Sequence, residues 1–157
     1  MDEPSTATCV ETYGSEALNK MLKKLKATSD PRRRYEYVLW LAQKLPTLSQ
    51  ELRSESIKVK GCISQVYVLG ELKEGRLLWK GYSDALITKG LLSLLIESLN
   101  NLTPEEVLNI DEAFIKETGL NTSLTPSRAN GFLNILLHMK SQALEFSKST
   151  SNKLNKV

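Results

Sequence analysis

Apolar residues recur at spacings of three and four at Leu18, Met21, Leu22 and Leu25, one stripe of a helix over about 15–27. Asp30-Pro31 opens a second helix, because an aspartate accepts from the free first-turn amides and proline lacks only a hydrogen that has no partner there. Its inner face is Tyr35, Val38, Leu39, Ala42 and Leu45, and Pro46 stops it. The period then changes. From Val59 to Leu72 the chain is rich in β-branched and aromatic residues, Lys73-Glu74-Gly75-Arg76 reads as a turn, and Leu77, Leu78 and Trp79 resume a strand. This predicts a hairpin, with a third strand beside it. Ser83-Asp84 begins a helix to about Asn101, apolar almost all round and therefore central. Thr103-Pro104-Glu105-Glu106 is a capping box, and Leu124-Thr125-Pro126 starts a long last helix with Phe132, Leu133, Ile135, Leu136, Met139 and Ala143 inward. Helices, a small antiparallel sheet and helices again make an α+β fold with helices on one face of the sheet.

The stretches 1–13 and 147–157 are polar and lack periodicity, so the expectation is one domain over 14–146 between disordered tails. A length of 157 residues suits a single core, and no apolar run reaches the roughly 18 residues of a membrane span. The net charge of +3 gives no argument for nucleic acid, and Arg32-Arg33-Arg34 reads as a solvated helix face. The acidic start, with Asp2, Glu3, Glu11 and Glu16, matches neither a secretory signal nor a transit peptide, which leads to the expectation of a cytoplasmic protein with reduced thiols. Two Cys and one His exclude a zinc ribbon, a four-Cys cluster site and a disulfide scaffold.

The chemistry is therefore confined to thiols. Cys62 lies in Lys58-Val59-Lys60-Gly61-Cys62-Ile63-Ser64-Gln65, where a polar connection meets the first strand. Gly61 opens backbone conformations closed to other residues, and the two lysines favour a thiolate. At the free pKa of about 8.5 only roughly 3% of a thiol is ionised at pH 7, whereas a shift to about 7 would ionise half. The same features also fit a small apolar residue in the core, and both readings stand. Cys9 sits among acids that disfavour a thiolate. His138, on the core-lined last helix, reads as structural, although a Cys62–His138 pair would suit a nucleophile and base. Asp84 suits the positive end of a helix dipole, while Arg128 near a helix start opposes it and calls for a carboxylate or a ligand.

The segments Gly61-Cys62-Ile63-Ser64-Gln65-Val66-Tyr67, Gly81-Tyr82-Ser83-Asp84-Ala85, Lys89-Gly90-Leu91-Leu92 and Leu124-Thr125-Pro126-Ser127-Arg128-Ala129-Asn130-Gly131 resemble the SufE family, together with Arg34-Tyr35-Glu36-Tyr37 and Leu45-Pro46. The resemblance covers about 15–145, with Ile63 and Tyr82 standing where many members have a polar residue. It implies a fold similar to the IscU scaffold and a sulfur acceptor that stimulates a cysteine desulfurase. Cys62 would take the persulfide sulfur, and Gly61, Ser64, Gln65, Asp84 and Arg128 would belong to the partner-binding surface. The implied partners are the desulfurase, which owns the pyridoxal phosphate, and the iron–sulfur scaffold complex; the chain itself needs no cofactor and no metal. A homodimer is left open, and neither nucleic acid nor membrane is an expected partner. Val59 and Ile63 beside the thiol imply a resting loop that tucks Cys62 against the core. The competing classes are a thiol-dependent redox enzyme, a hydrolase using Cys62, and a regulator that moves no sulfur.

Overall fold

The computed structural model describes residues 13–62 and 64–155, with side chains through 149. Helix α1 (Glu16–Ala27) starts where Ser15 Oγ accepts from Leu18 N–H, and it buries Leu18, Met21, Leu22 and Leu25. Helix α2 (Pro31–Leu41) starts where the Asp30 carboxylate accepts from Arg32 N–H. A 3-10 turn over Ala42–Lys44 carries it on towards Pro46. The buried stripe is Val38, Leu41, Ala42 and Leu45, the i, i+3, i+4, i+7 pattern of one helix face. Tyr35, expected inside, is 37% exposed, a position its amphipathic phenol tolerates. The arginine cluster divides. Arg32 and Arg33 are exposed, but Arg34 Nε donates to Thr28 O at 2.7 Å and its Nη1 to Gly119 O at 3.2 Å, joining the end of α1 to a distant loop.

Strands β1 (Val66–Lys73) and β2 (Arg76–Ser83) form an antiparallel hairpin. Its turn is Glu74-Gly75, with φ of 52° and 82°, the left-handed pair that matches the strand twist. Val66, Val68 and Gly70 of β1, with Leu77, Trp79, Gly81 and Ser83 of β2, point to the helices. Gly70 pairs with Trp79, and a Cβ at 70 would come within 2.7 Å of the indole, so the ring lies across the space a side chain would take. The expected third strand is replaced by short bridges along both edges. Residues 46–48 and 100–102 line β2, with Gly81 N–H donating to Pro46 O at 3.0 Å and Leu77 N–H to Leu102 O at 2.8 Å. Val59 N–H donates to Val66 O at 2.8 Å on the β1 edge. Further along, Gln142 Nε2 donates to Val68 O at 2.6 Å and its Oε1 accepts from Gly70 N–H at 2.9 Å, so one side chain stands in for a neighbouring strand.

Helix α3 (Leu86–Leu99) packs on β2 and α2, buried over most of its surface. It starts later than expected, because Ser83 completes β2 opposite Val66 and its Oγ accepts from Ala85 N–H. Gly90 allows α2 and α3 to touch: a Cβ there would lie 2.1 Å from Val38 O. Helices α4 (Pro104–Leu108), opened by the Thr103–Glu106 capping box, and α5 (Phe114–Glu117) lead to α6 (Pro126–Asn155), which packs on β1, α3 and α4. α6 is helical through 147–155, past the end expected from the loss of apolar periodicity at 146. At the other end Tyr13, assigned to a tail, packs against the core. The remainder of that tail, residues 1–12 with Cys9, lies outside the described residues.

Candidate functional site

The connection from the 3-10 turn Glu55–Ile57 to β1 forms a loop whose neck is the Val59–Val66 hydrogen bond, with residues 60–62 and 64–65 described beyond it. Gly61 has φ of 84°, the left-handed region where a Cβ is strained, so the loop reverses without side-chain cost just before Cys62. Among the described residues Cys62 is the free cysteine, and it is half-buried. Its thiol lies against the first turns of α6, 3.8 Å from Gly131 O, a long and weak hydrogen bond. One turn on, Asn134 Nδ2 donates to Gly61 O at 3.0 Å.

The far side of the loop is tied to α3. Gln65 N–H donates to Asp84 Oδ1 at 2.9 Å, and Asp84 N–H returns a bond to Gln65 O at 3.2 Å. Asp84 thus anchors the loop rather than capping α3, whose N-cap is Ala85. Arg128 Nη1 donates to Thr88 Oγ1 at 2.9 Å, and the same hydroxyl lies 3.4 Å from Ser64 Oγ. A buried threonine, not a carboxylate, is therefore the partner for which Arg128's position called. The fold thus gathers Gly61, Cys62, Ser64, Gln65, Asp84 and Arg128 around one loop, and adds Thr88 and Asn134, which the sequence did not single out. Asn134 left no periodic trace: on α6 it shares a face with Asn130, Gly131, Leu137 and His138, a mixed surface that does not mark one residue out.

Burial pushes the Cys62 thiol above its ordinary pKa. The expected stabilisation of a thiolate by Lys58 and Lys60 is overridden at rest, although both line the groove of about 550 Å³ that Cys62 shares with Glu55, Val59 and Gly61. An adjoining groove of about 380 Å³ runs between the same lysines and Asn134, Leu137 and His138 of α6. His138 is shifted below its ordinary pKa by burial and is neutral at pH 7; its Nε2 has no hydrogen-bond partner among the described residues. The thiol's hydrogen bond goes to Gly131 and not to this imidazole, so the arrangement lacks the bonded nucleophile and base of a Cys–His hydrolase. Val59 is buried beside the loop, as a sheltered thiol requires; Ile63, the other expected shield, lies outside the described residues. Among the described residues no group of His, Cys, Asp and Glu is placed to hold a metal ion.

The family model of SufE, described as an Fe-S metabolism associated domain, matches residues 19–143. The chain belongs to the SufE family. An uncharacterized SufE-like protein of Synechocystis is 45% identical over 129 residues, which are 82% of this chain and 81% of the relative. The SufE-like protein 1 of Arabidopsis thaliana, named as chloroplastic/mitochondrial, is 33% identical over 90% of this SufE chain and 40% of its own length. The cysteine desulfuration protein SufE of Plasmodium vivax is 40% identical over 71% of this chain and 46% of its own. The chain thus spans less than half of those two longer relatives. The solution structure of a hypothetical protein from Thermus thermophilus superposes with a TM-score of 0.73 at 25% identity, covering 83% of this chain and 96% of that one, which agrees with the small sheet backed by helices. No described helix is long and apolar enough to cross a membrane.

Proposed function

We propose that this SufE domain accepts sulfur from the persulfide of a cysteine desulfurase onto Cys62, stimulates that enzyme by draining it, and passes the sulfur to an iron–sulfur assembly scaffold. The observation that carries the reading is the place of Cys62: the free thiol of the described residues sits on a loop closed at its neck and held by separate polar contacts to α6, to Thr88 of α3 and to Asp84 just before it. The names of the Plasmodium relatives, cysteine desulfuration proteins, point to the same chemistry. In the step, the Cys62 thiolate attacks the terminal sulfur of the partner's persulfide. A new sulfur–sulfur bond forms on Cys62, the partner's sulfur–sulfur bond breaks, and the partner's cysteine leaves as thiolate; one sulfur atom moves and no external oxidant or reductant is needed. Pyridoxal phosphate stays in the desulfurase.

The protein's contribution is access and thiolate supply. A thiol held protonated by burial is a poor nucleophile and also a poor target for peroxide, so docking that moves the loop into water would raise reactivity at the moment of need. The full chain should therefore raise the rate at which a desulfurase consumes free cysteine, and Cys62→Ser should not. Full stimulation by Cys62→Ser would reduce the protein to a regulator that moves no sulfur.

A further inference from the structure

We propose that Asn134 of α6 is a positioning residue, a latch that holds the Cys62 loop in its docked position and releases it through a swing at Gly61. The inference rests on the reading of Cys62 as the sulfur acceptor and supplies the control over its exposure. The loop is held unevenly. Its neck is a backbone pair between Val59 and Val66, and its downstream limb carries the reciprocal Gln65–Asp84 bonds and the Ser64–Thr88 contact. Among the described residues, the upstream limb, where Gly61 and the thiol sit, is held to α6 by one good hydrogen bond, Asn134 Nδ2 to Gly61 O at 3.0 Å, and by the long contact from Cys62 Sγ to Gly131 O at 3.8 Å.

Breaking the Asn134 bond frees the tip while the neck and the downstream limb stay in place. Gly61 suits the hinge, since glycine crosses between left- and right-handed backbone regions that a side chain would separate. Glycine is also what lets the latch close, because a Cβ at 61 would stand 2.7 Å from Asn134 Nδ2. Gly61 is an exposed residue and its bond to Asn134 lies at the surface, so water replaces the latch when the loop opens and no buried polar group is stranded.

The test is iodoacetamide labelling of the full chain, read on the Cys62 peptide by mass spectrometry so that Cys9 does not interfere. Both Asn134→Ala and Asn134→Asp remove the donor, the second with little change of shape, and each is expected to label Cys62 about fivefold faster at neutral pH, the effect of one ordinary hydrogen bond on an opening equilibrium. In Asn134→Ala, which adds no charge, the pH midpoint of labelling should also fall towards that of a free thiol, with Lys58, Lys60 and Glu55 across the groove unchanged. Leu137→Ala, on the same helix and the adjoining groove but without a bond to the loop, serves as the control and should label like wild type. Unchanged labelling in both Asn134 variants, or an equal acceleration in Leu137→Ala, overturns the latch. Labelling does not involve a desulfurase, so loss of the latch leaves sulfur transfer to Cys62 standing, and absence of sulfur on Cys62 leaves the labelling result intact.

Discussion

Thr88 joins two parts of the site with one hydroxyl: it accepts from Arg128 and lies against Ser64, while being 5% exposed. Thr88→Val keeps the shape and removes the acceptor, leaving the guanidinium without this partner. The expected loss is about 1–3 kcal/mol in chemical denaturation, larger than for an exposed hydroxyl. His138 makes a second prediction at this scale. Burial lowers its pKa, so the native state binds the proton less readily than the unfolded chain. The contribution to stability is full above the unfolded value of about 6.5 and is lost as pH falls through the window below it. The difference in unfolding midpoint between wild type and His138→Gln should therefore shrink from pH 7.5 to pH 5.5, and a pH-independent difference contradicts this. The sequence singled out Cys62 by its glycine and polar flanks, and the tuck against the core implied by its apolar neighbours gives the direction in which its pKa moves; which helix covers the thiol was not legible, because α6 reaches it from about seventy residues away.

At the level of elements, the hairpin shows what periodicity can and cannot give. The β-branched and aromatic residues from Val59 to Leu72, the turn at Lys73–Arg76 and the apolar Leu77, Leu78 and Trp79 located the hairpin, but not its ends, since β1 begins only at Val66 and β2 runs on to Ser83. The absence of a regular third strand was not legible, because the edges are closed by single residues and by two amides, Asn100 on Trp79 N–H and Gln142 on Val68 and Gly70. Such contacts join distant positions and leave no repeat. Gln142→Leu should cost about 2 kcal/mol, measured by denaturation, because it strips the partners from a carbonyl and an amide at once. Between helices, Gly90→Ala should be at least as costly, about 3 kcal/mol in the same measurement, since the new methyl meets the backbone oxygen of Val38 and not a movable side chain. The starts of α2, α4 and α6 were readable from Asp30-Pro31, Thr103-Pro104 and Thr125-Pro126, where local hydrogen bonds decide, while α1 was placed by its apolar stripe. The start of α3 was not, because strand pairing of Ser83 overrides its capping preference.

Across the whole molecule, α3 and α6 back the hairpin on one face and converge on the Cys62 loop, α3 with Thr88 and the Asp84 that precedes it, α6 with Arg128, Gly131 and Asn134. The thiol lies at the margin of the core, half-buried. This placement suits the proposed carrier role, in which the limbs of the loop would stay in place while one sulfur atom is collected and handed on. The measurement that tests this most directly is mass spectrometry of the Cys62 peptide after the full chain is incubated with a cysteine desulfurase and isotopically labelled cysteine, without added reductant. The expected result is the mass of one labelled sulfur atom on Cys62, removed by a thiol reductant and absent when the desulfurase is omitted. An unmodified Cys62 beside an actively turning-over desulfurase would contradict it.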